Sequence, residues 1–281
     1  MKKIILTLAI IALSAGAAFA QDMSKATETA KVANEALQTG DKDIALQGFK
    51  EALSLAQACG DEGADLVATC KSVIPGIMVS KAKEQLKAGS IDDAIALLNE
   101  SVSVAKEYEA ADAEQDALQL IPQAYLQQGN NLLQAKDAAG AVAAYTKSVE
   151  ADPDGTATKG MASLRLGMAL AGTGKADEAI AAFEQASAQG QDKLATKQLS
   201  TLFLKKASAS LKGKDLQGAI DAALKSTEYL ESANAYKIAG TASNSLGNKA
   251  DAVKYLSKYL ELAPTAADAA QIKAAVEALK K

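Results

Sequence analysis

The chain has 281 residues, a formal net charge of −4, and no histidine or tryptophan. Without histidine, Ser-His-Asp and Cys-His nucleophile pairs and the usual zinc ligand sets are excluded, so we expect no catalytic residue, metal or cofactor. The acidic balance and the single arginine, Arg165, argue against a nucleic-acid partner, because polyanion binding needs clustered basic side chains.

The N-terminal residues have the composition of a secretory leader. A basic pair precedes an apolar run over residues 4–13, and small residues follow up to Ala20. The run is shorter than the ~20 apolar residues that a membrane span needs. We therefore predict a signal peptide over residues 1–20 that is cleaved after Ala20. The remaining chain would be exported to a bacterial periplasm without stable membrane insertion. The alternative is a retained anchor helix.

Two cysteines, Cys59 and Cys70, flank a predicted turn at residues 60–63. An oxidising compartment would allow them to pair. If Cys70 lies two turns into the next helix, however, the two residues are about 10 Å apart along its axis, farther than disulfide geometry tolerates. Two interpretations stay open, a disulfide or two small core residues.

One residue pattern recurs six times along the rest of the chain. A Gly or Lys is followed five residues later by Ala, four further by a large apolar residue and three further by a small one. The last three share one stripe of a helix, with Ala at a close helix crossing, so each copy predicts the second helix of a hairpin. The copies are Gly40-Ala45-Phe49-Ala52, Gly89-Ala94-Leu98-Ser101, Lys136-Ala141-Tyr145-Ser148, Gly174-Ala179-Phe183-Ala186, Lys214-Ala219-Ala223-Ser226 and Gly247-Ala252-Leu256-Tyr259. Some copies depart from the pattern at the large or the small place, as at Ala223 and Tyr259.

A matching first helix is predicted upstream of each copy. Its small residue at the closest approach lies twelve residues before the first Ala of the copy: Ala33, Ala82, Gly129, Gly167, Ala207 and Gly240. A bulky residue stands four positions earlier in most copies, whereas Thr29 and Ser163 break this rule. The first Ala residues of successive copies lie 49, 47, 38, 40 and 33 residues apart, so the early repeats are longer.

Prolines and the C-terminal segment complete the pattern. Pro153 and Pro264 each lie twelve residues after the Ala of a copy, where they would end a hairpin. Pro75 and Pro122 share one offset in the longer repeats and predict kinked helices. The segment after Pro264 begins with Thr265, a predicted N-cap, and its apolar stripe predicts a final capping helix.

The pattern resembles the tetratricopeptide repeat, as in Tyr236, Gly240, Gly247, Ala252 and Pro264. The resemblance implies an all-α fold, a right-handed α-solenoid of about six helical hairpins with a C-terminal capping helix. We expect a single repeat domain over residues 21–281 after the leader. Its repeats are predicted near residues 24–59, 62–109, 112–153, 156–189, 192–230 and 232–264, with the cap at 265–281.

Members of this family usually bind extended or helical peptides on the concave surface of their first helices. The groove-facing spacing predicts these partner-binding residues: Asn34, Val79, Lys83, Leu126, Asn130, Leu133, Leu164, Met168, Leu204, Lys237 and Thr241. For Leu133, Leu164 and Met168 the alternative interpretation is ordinary core. The lysine and asparagine clamp with which some members hold acidic C-termini is not present.

The resulting hypothesis is a non-enzymatic, extracytoplasmic scaffold that binds a protein or peptide partner, in envelope assembly or secretion. One alternative is a structural protein that self-associates, with residues 255–259 packing across chains. Another is a glycan-acting enzyme with two carboxylates. The acidic runs Asp61-Glu62, Asp92-Asp93 and Asp177-Glu178 are instead predicted to open helices, where carboxylates favour the helix dipole.

Overall fold

Helices are the only regular elements in the part of the chain that the computed structural model describes, residues 17–152, 155 and 157–281. They are α1 (Ala17–Thr39), α2 (Lys42–Ala58), α3 (Ala64–Ala88), α4 (Ile91–Glu107), α5 (Ala111–Gln134), α6 (Ala138–Glu150), α7 (Ala157–Gly172), α8 (Ala176–Ala186), α9 (Asp192–Lys212), α10 (Leu216–Tyr229), α11 (Ala233–Ser245), α12 (Lys249–Leu262) and α13 (Ala269–Leu279). The predicted all-α fold of helical hairpins is confirmed. The odd-numbered helices α1 to α11 are the first helices of hairpins and the following even-numbered helices are the second.

The chain divides into two compact units, Met1–Gln128 and Gly129–Lys281. The boundary falls within α5. In the first unit α2 packs against both α1 and α3, and α3 packs against α4. In the second unit the same sequential packing continues from α6 to α13. None of the described helices is long and apolar enough to cross a membrane.

The recurring pattern lies where the spacing predicts. All eighteen residues of the six second-helix stripes are buried, as are the six small residues of the first helices. At the closest approach a Cβ added to Gly129 would lie 2.5 Å from the ring of Tyr145, and one added to Gly167 would lie 2.6 Å from the ring of Phe183. In these two hairpins the glycine of the first helix therefore makes room for the aromatic residue of the second.

The Gly or Lys that opens each pattern occupies a left-handed turn. Gly40, Gly89, Gly174 and Gly247 have φ between 80° and 94°, and Lys136 and Lys214 have φ of 64° and 63°. A side chain in this region costs ~1–2 kcal/mol, so the two lysines hold a conformation that favours glycine. The turn geometry is thus kept in all six hairpins even where the residue type changes.

Residues 60–63 form a short 3-10 turn between α2 and α3. Cys59 and Cys70 on either side of it are both free and buried, so the disulfide considered from the sequence is not formed. The Cys59 thiol donates to the carbonyl oxygen of Leu55 at 3.3 Å. Burial raises the pKa of Cys59, assisted by Asp22 and Glu62, and burial raises the pKa of Cys70 to about 11. Both residues serve as small core side chains.

Pro75 and Pro122 lie inside α3 and α5, which continue through them. The hydroxyl of Ser101 in α4 donates to the carbonyl oxygen of Pro75 at 3.1 Å, which ties the second helix of this hairpin to its first. Pro264 follows the end of α12. Pro153 and the predicted leader up to residue 16 lie outside the described residues. Helix α1 begins at Ala17, ahead of the predicted cleavage position.

Acidic and amide side chains open the second helices. Asp41, Asp137, Asp215 and Asn248 accept backbone N–H groups of the first turns of α2, α6, α10 and α12. The acidic runs at residues 92–93 and 177–178 lie in the first turns of α4 and α8, as predicted. The prediction for Thr265 is wrong, because α13 begins four residues later with Asp268 as its N-cap residue.

Candidate functional site: the first-helix surface

The predicted partner-binding residues lie at two main positions relative to the small residue of each first helix. One position is three residues before it and the other is one residue after it, so the two share a helix face. We call the exposed residues at these positions, together with Leu133, the first-helix surface, and describe it separately in each compact unit.

Two of the predicted residues are not accessible. Val79 is 2% exposed and Leu164 is 4% exposed, so neither can line a binding surface as predicted. Both stand three residues before the small residue. Leu164 belongs to a core cluster with Phe183 and Leu199, whereas Val79 is buried in the first unit. For Leu164 the alternative interpretation, ordinary core, is what the structure shows.

In the first unit the surface is polar where it is exposed. Asn34 is half-buried and Lys83 is exposed. The Nζ atom of Lys83 lies 3.0 Å from a carboxylate oxygen of Asp116 in α5, so it bridges two consecutive first helices. Leu126 is half-buried on the same helix as Asp116. This exposed ion pair contributes at most ~1 kcal/mol, so Lys83 could exchange its carboxylate for one on a partner.

In the second unit two polar candidates are held by internal contacts. Asn130 accepts a hydrogen bond from the Tyr145 hydroxyl at 2.9 Å, and burial raises the pKa of that hydroxyl, partly offset by Arg165. Lys237 forms an ion pair with Asp268, and its ammonium lies 5.7 Å from the ring centre of Tyr259. These two residues position neighbouring elements rather than stand free for a partner.

The Asp268 carboxylate joins the last hairpin to α13. It accepts hydrogen bonds from Lys237 and from the Tyr259 hydroxyl. These two bonds hold the pKa of Asp268 below its ordinary value, and the same carboxylate raises the pKa of Tyr259, as does burial. Tyr259, which the self-association alternative would pack across chains, is buried within its own chain.

Apolar and neutral side chains form the accessible part of the surface in the second unit. Leu133 is 40% exposed and Met168 is 42% exposed, while Thr241 is also exposed. Leu204 is half-buried against the cluster that contains Ala207. Among the described residues, the predicted partner-binding side chains are thus more exposed after the small residue of their first helix than three positions before it.

Asp116 and Asp268 contribute ion pairs to the first-helix surface that the repeat pattern does not predict. Each pairs with a lysine that lies more than 30 residues away in the chain, and the repeat pattern has no fixed position for either. A signal existed for Asp268, because Asp is a preferred N-cap residue and Asp268 directly precedes the final helix. In the described part of the chain no three His, Cys, Asp or Glu side chains are grouped to hold a metal ion.

Comparisons with known proteins agree with the hairpin geometry. A tetratricopeptide repeat family model matches residues 126–193 and again residues 164–229. No curated protein matches the sequence.

Solved structures with similarity to the chain include YrrB, a tetratricopeptide repeat protein with an unusual peptide-binding site. It shares 17% identity with a TM-score of 0.37, covering 70% of this chain and 90% of its own. PilW, a widely conserved type IV pilus biogenesis factor, shares 16% identity with a TM-score of 0.35, covering 71% and 98%. MamA shares 23% identity with a TM-score of 0.34, covering 64% and 92%. The match to the family model thus spans residues 126–229, and this part of the chain is similar to the tetratricopeptide repeat.

Proposed function

We propose that this protein is a scaffold that binds a segment of a partner polypeptide on its first-helix surface in the second unit. Tetratricopeptide repeats generally mediate protein–protein interactions, and the sequence offers no histidine for the commonest catalytic sites. The partner segment would be extended or helical and largely uncharged where it contacts the surface.

The exposure of Leu133 and Met168 carries this proposal. Each lies on a first helix whose small residue is fully packed against a second helix, yet each keeps about two fifths of its surface in contact with solvent. Burying such a side chain in a partner contributes ~1.5–3 kcal/mol when it is complete, and somewhat less from a half-exposed start. Thr241 adds a hydroxyl that can hydrogen-bond to a partner backbone.

The experiment is capture of partners from an envelope extract by the immobilised protein. The test variant carries Leu133→Glu and Met168→Glu, which place charges on the surface without removing a core contact. The control variant carries Leu230→Glu and Leu246→Glu, whose side chains are 53% and 50% exposed but lie at helix C-caps outside the surface. Circular dichroism establishes that both variants fold.

A partner that is lost from the test variant and kept by the control variant supports the proposal. If both variants retain the same partners, the first-helix surface is not the binding site. Asn130 is left unchanged in this design, because its loss would strand the Tyr145 hydroxyl.

We also propose that the mature protein acts outside the cytoplasm, in envelope assembly or secretion. The support is the leader-like composition of residues 1–20, with its short apolar run and small residues before position 21. Mass spectrometry of the protein from fractionated bacterial cells tests this. A periplasmic form that begins at Gln21 is expected, and a form with an intact N-terminus in the cytoplasm would refute it.

A further inference from the structure

The α1–α2 hairpin has a face that carries a groove of about 290 Å³, lined by Val32, Ile44, Gly48 and Glu51 among others. We call it the leading face. Val32 and Ile44 are 50% and 53% exposed, which makes them two of the most exposed large apolar side chains among the described residues. The equivalent face of the next hairpin, α3–α4, is occupied, and its occupant shows what the leading face can bind.

Helix α2 occupies the equivalent face of the α3–α4 hairpin. Lys42 at the start of α2 forms an ion pair with Glu84 of α3. Lys50, eight residues further along α2, lies 3.4 Å from Glu100 of α4. Between these two lysines Phe49 is fully buried in a cluster against which Leu97 of α4 packs. Two carboxylates thus hold two lysines that flank an apolar stripe of one helix.

An equivalent pair of carboxylates lies on the leading face. Glu35 and Glu51 lie 49 residues before Glu84 and Glu100, which is the interval between the first two copies of the repeat. Both are exposed, and among the described residues neither carboxylate has an ion-pair partner. The leading face therefore repeats the acidic pair that receives α2 on the next hairpin, but nothing in the described chain supplies the two lysines.

The apolar residues define the rest of the occupant. Val32 stands where the next hairpin has Lys81, which pairs with Asp43 of α2. An occupant of the leading face would need an apolar side chain at that place instead of an acid. Glu28 and Thr29 replace Ile77 and Met78, so the contact is smaller and more polar than the internal one. These differences predict a reversible contact rather than a core-like one.

We propose that the leading face binds an amphipathic helix of a partner polypeptide that carries two lysines eight residues apart on either side of an aliphatic stripe. Glu35 and Glu51 receive the two lysines, and Val32 and Ile44 receive the aliphatic side chains. This surface is distinct from the first-helix surface, so the inference does not depend on the proposed function.

The probe is a labelled synthetic peptide of residues 41–58 with Asp43→Ala, which reproduces α2 with an apolar side chain opposite Val32. Its binding to the purified chain is measured by fluorescence anisotropy. We expect saturable binding that weakens about tenfold in the chain variant Glu35→Lys/Glu51→Lys, because two exposed ion pairs become repulsive contacts. A peptide that also carries Lys42→Glu and Lys50→Glu should recover most of the lost affinity for that variant.

A matched control is the chain variant Glu107→Lys/Glu150→Lys, which changes the net charge equally at exposed helix ends and should bind like the unaltered chain. Absence of saturable binding, or equal binding by the Glu35→Lys/Glu51→Lys variant and the control, would overturn the proposal.

Light scattering gives a further test. A concentration-dependent dimer that disappears only in the Glu35→Lys/Glu51→Lys variant would assign the face to a second copy and overturn the assignment to a separate partner.

Discussion

The contact between Gly167 and Phe183 allows a quantitative test of the hairpin geometry. A Cβ at residue 167 would lie 2.6 Å from a ring carbon of Phe183, whereas carbon atoms in contact are normally about 3.5–4.0 Å apart. The two helices would have to separate by about 1 Å. Overpacking of this kind costs ~1–3 kcal/mol, and the better helix propensity of Ala offsets ~1 kcal/mol of it. We expect Gly167→Ala to lower the free energy of unfolding by about 1 kcal/mol.

Gly172 provides the matched control on the same helix. A Cβ at this position would meet nothing within 4 Å, so Gly172→Ala gains helix propensity without a clash and should raise stability by up to ~1 kcal/mol. The assay is urea unfolding followed by circular dichroism at 222 nm. The two Gly→Ala substitutions are therefore expected to shift the midpoint in opposite directions. If Gly167→Ala were as stabilising as Gly172→Ala, the proposed close approach would be refuted.

A double-mutant cycle then assigns the cost to the named contact. The fifth hairpin pairs Ala207 with Ala223 at the same two positions, and both are buried, so Phe183→Ala should make room for an alanine at residue 167. In that background Gly167→Ala is expected to be neutral or stabilising, a coupling of ~1 kcal/mol. The first hairpin combines Ala33 with Phe49, but there residue 48 is glycine, whose added Cβ would lie 2.7 Å from that of Ala33.

Three further predictions test other features. Lys136→Gly and Lys214→Gly should each raise stability by about 1 kcal/mol in urea unfolding, because they relieve a positive φ; Gly174→Lys makes the reverse change and should lower it. Ser163→Ala should stabilise by ~1 kcal/mol, since its buried hydroxyl has no hydrogen-bond partner among the described residues. Ser226→Ala should destabilise, since its hydroxyl donates to the carbonyl oxygen of Ser200 at 2.9 Å. Asp268→Asn should lower the thermal midpoint at pH 7, and the difference from the unaltered chain should begin to shrink below about pH 4 and vanish once the pH is below the folded pKa of Asp268.

The sign of the pH effect follows from the direction of the pKa shift. The bonds from Lys237 and Tyr259 keep Asp268 ionised in the folded chain at pH values where the unfolded chain already takes up a proton. The contribution to stability is therefore fully present above the unfolded pKa, ~3.9, and is lost as the pH falls through the lower folded pKa. A difference between Asp268→Asn and the unaltered chain that grew with acidity would contradict this account.

The parts of the fold that could be predicted from the sequence are those decided within one hairpin. The stripes of Ala, large and small residues follow from the helix period and from side-chain volume, which are local properties, and the structure buries every one of them. The spacing predicts the turns even at Lys136 and Lys214, where a lysine stands in place of the glycine that a positive φ favours. Thr265 shows the limit of local signals, since Asp268 lies close by and takes the N-cap position.

The candidate site was harder to predict because exposure depends on elements beyond the hairpin. Val79 and Leu164 have the spacing of a surface residue, but other helices cover them. Lys237 has a polar side chain at a surface position, but a carboxylate from the terminal segment holds it. Neither fact can be read from the repeat pattern, because Leu199, which helps to cover Leu164, and Asp268, which pairs with Lys237, both stand outside that pattern.

The direction of helical side chains explains which positions stay open. A helical side chain leans toward the N-terminus of its own helix. A residue three positions before the small residue of a first helix therefore leans away from the hairpin turn, toward the N-terminal end of that helix. Leu164 at this position joins a core with Leu199 of the next first helix, whereas Met168, one turn nearer the hairpin turn, is exposed. It follows that Leu164→Ala should act chiefly on stability, with a loss of ~2–5 kcal/mol, while Met168→Glu should leave unfolding nearly unchanged and act on binding.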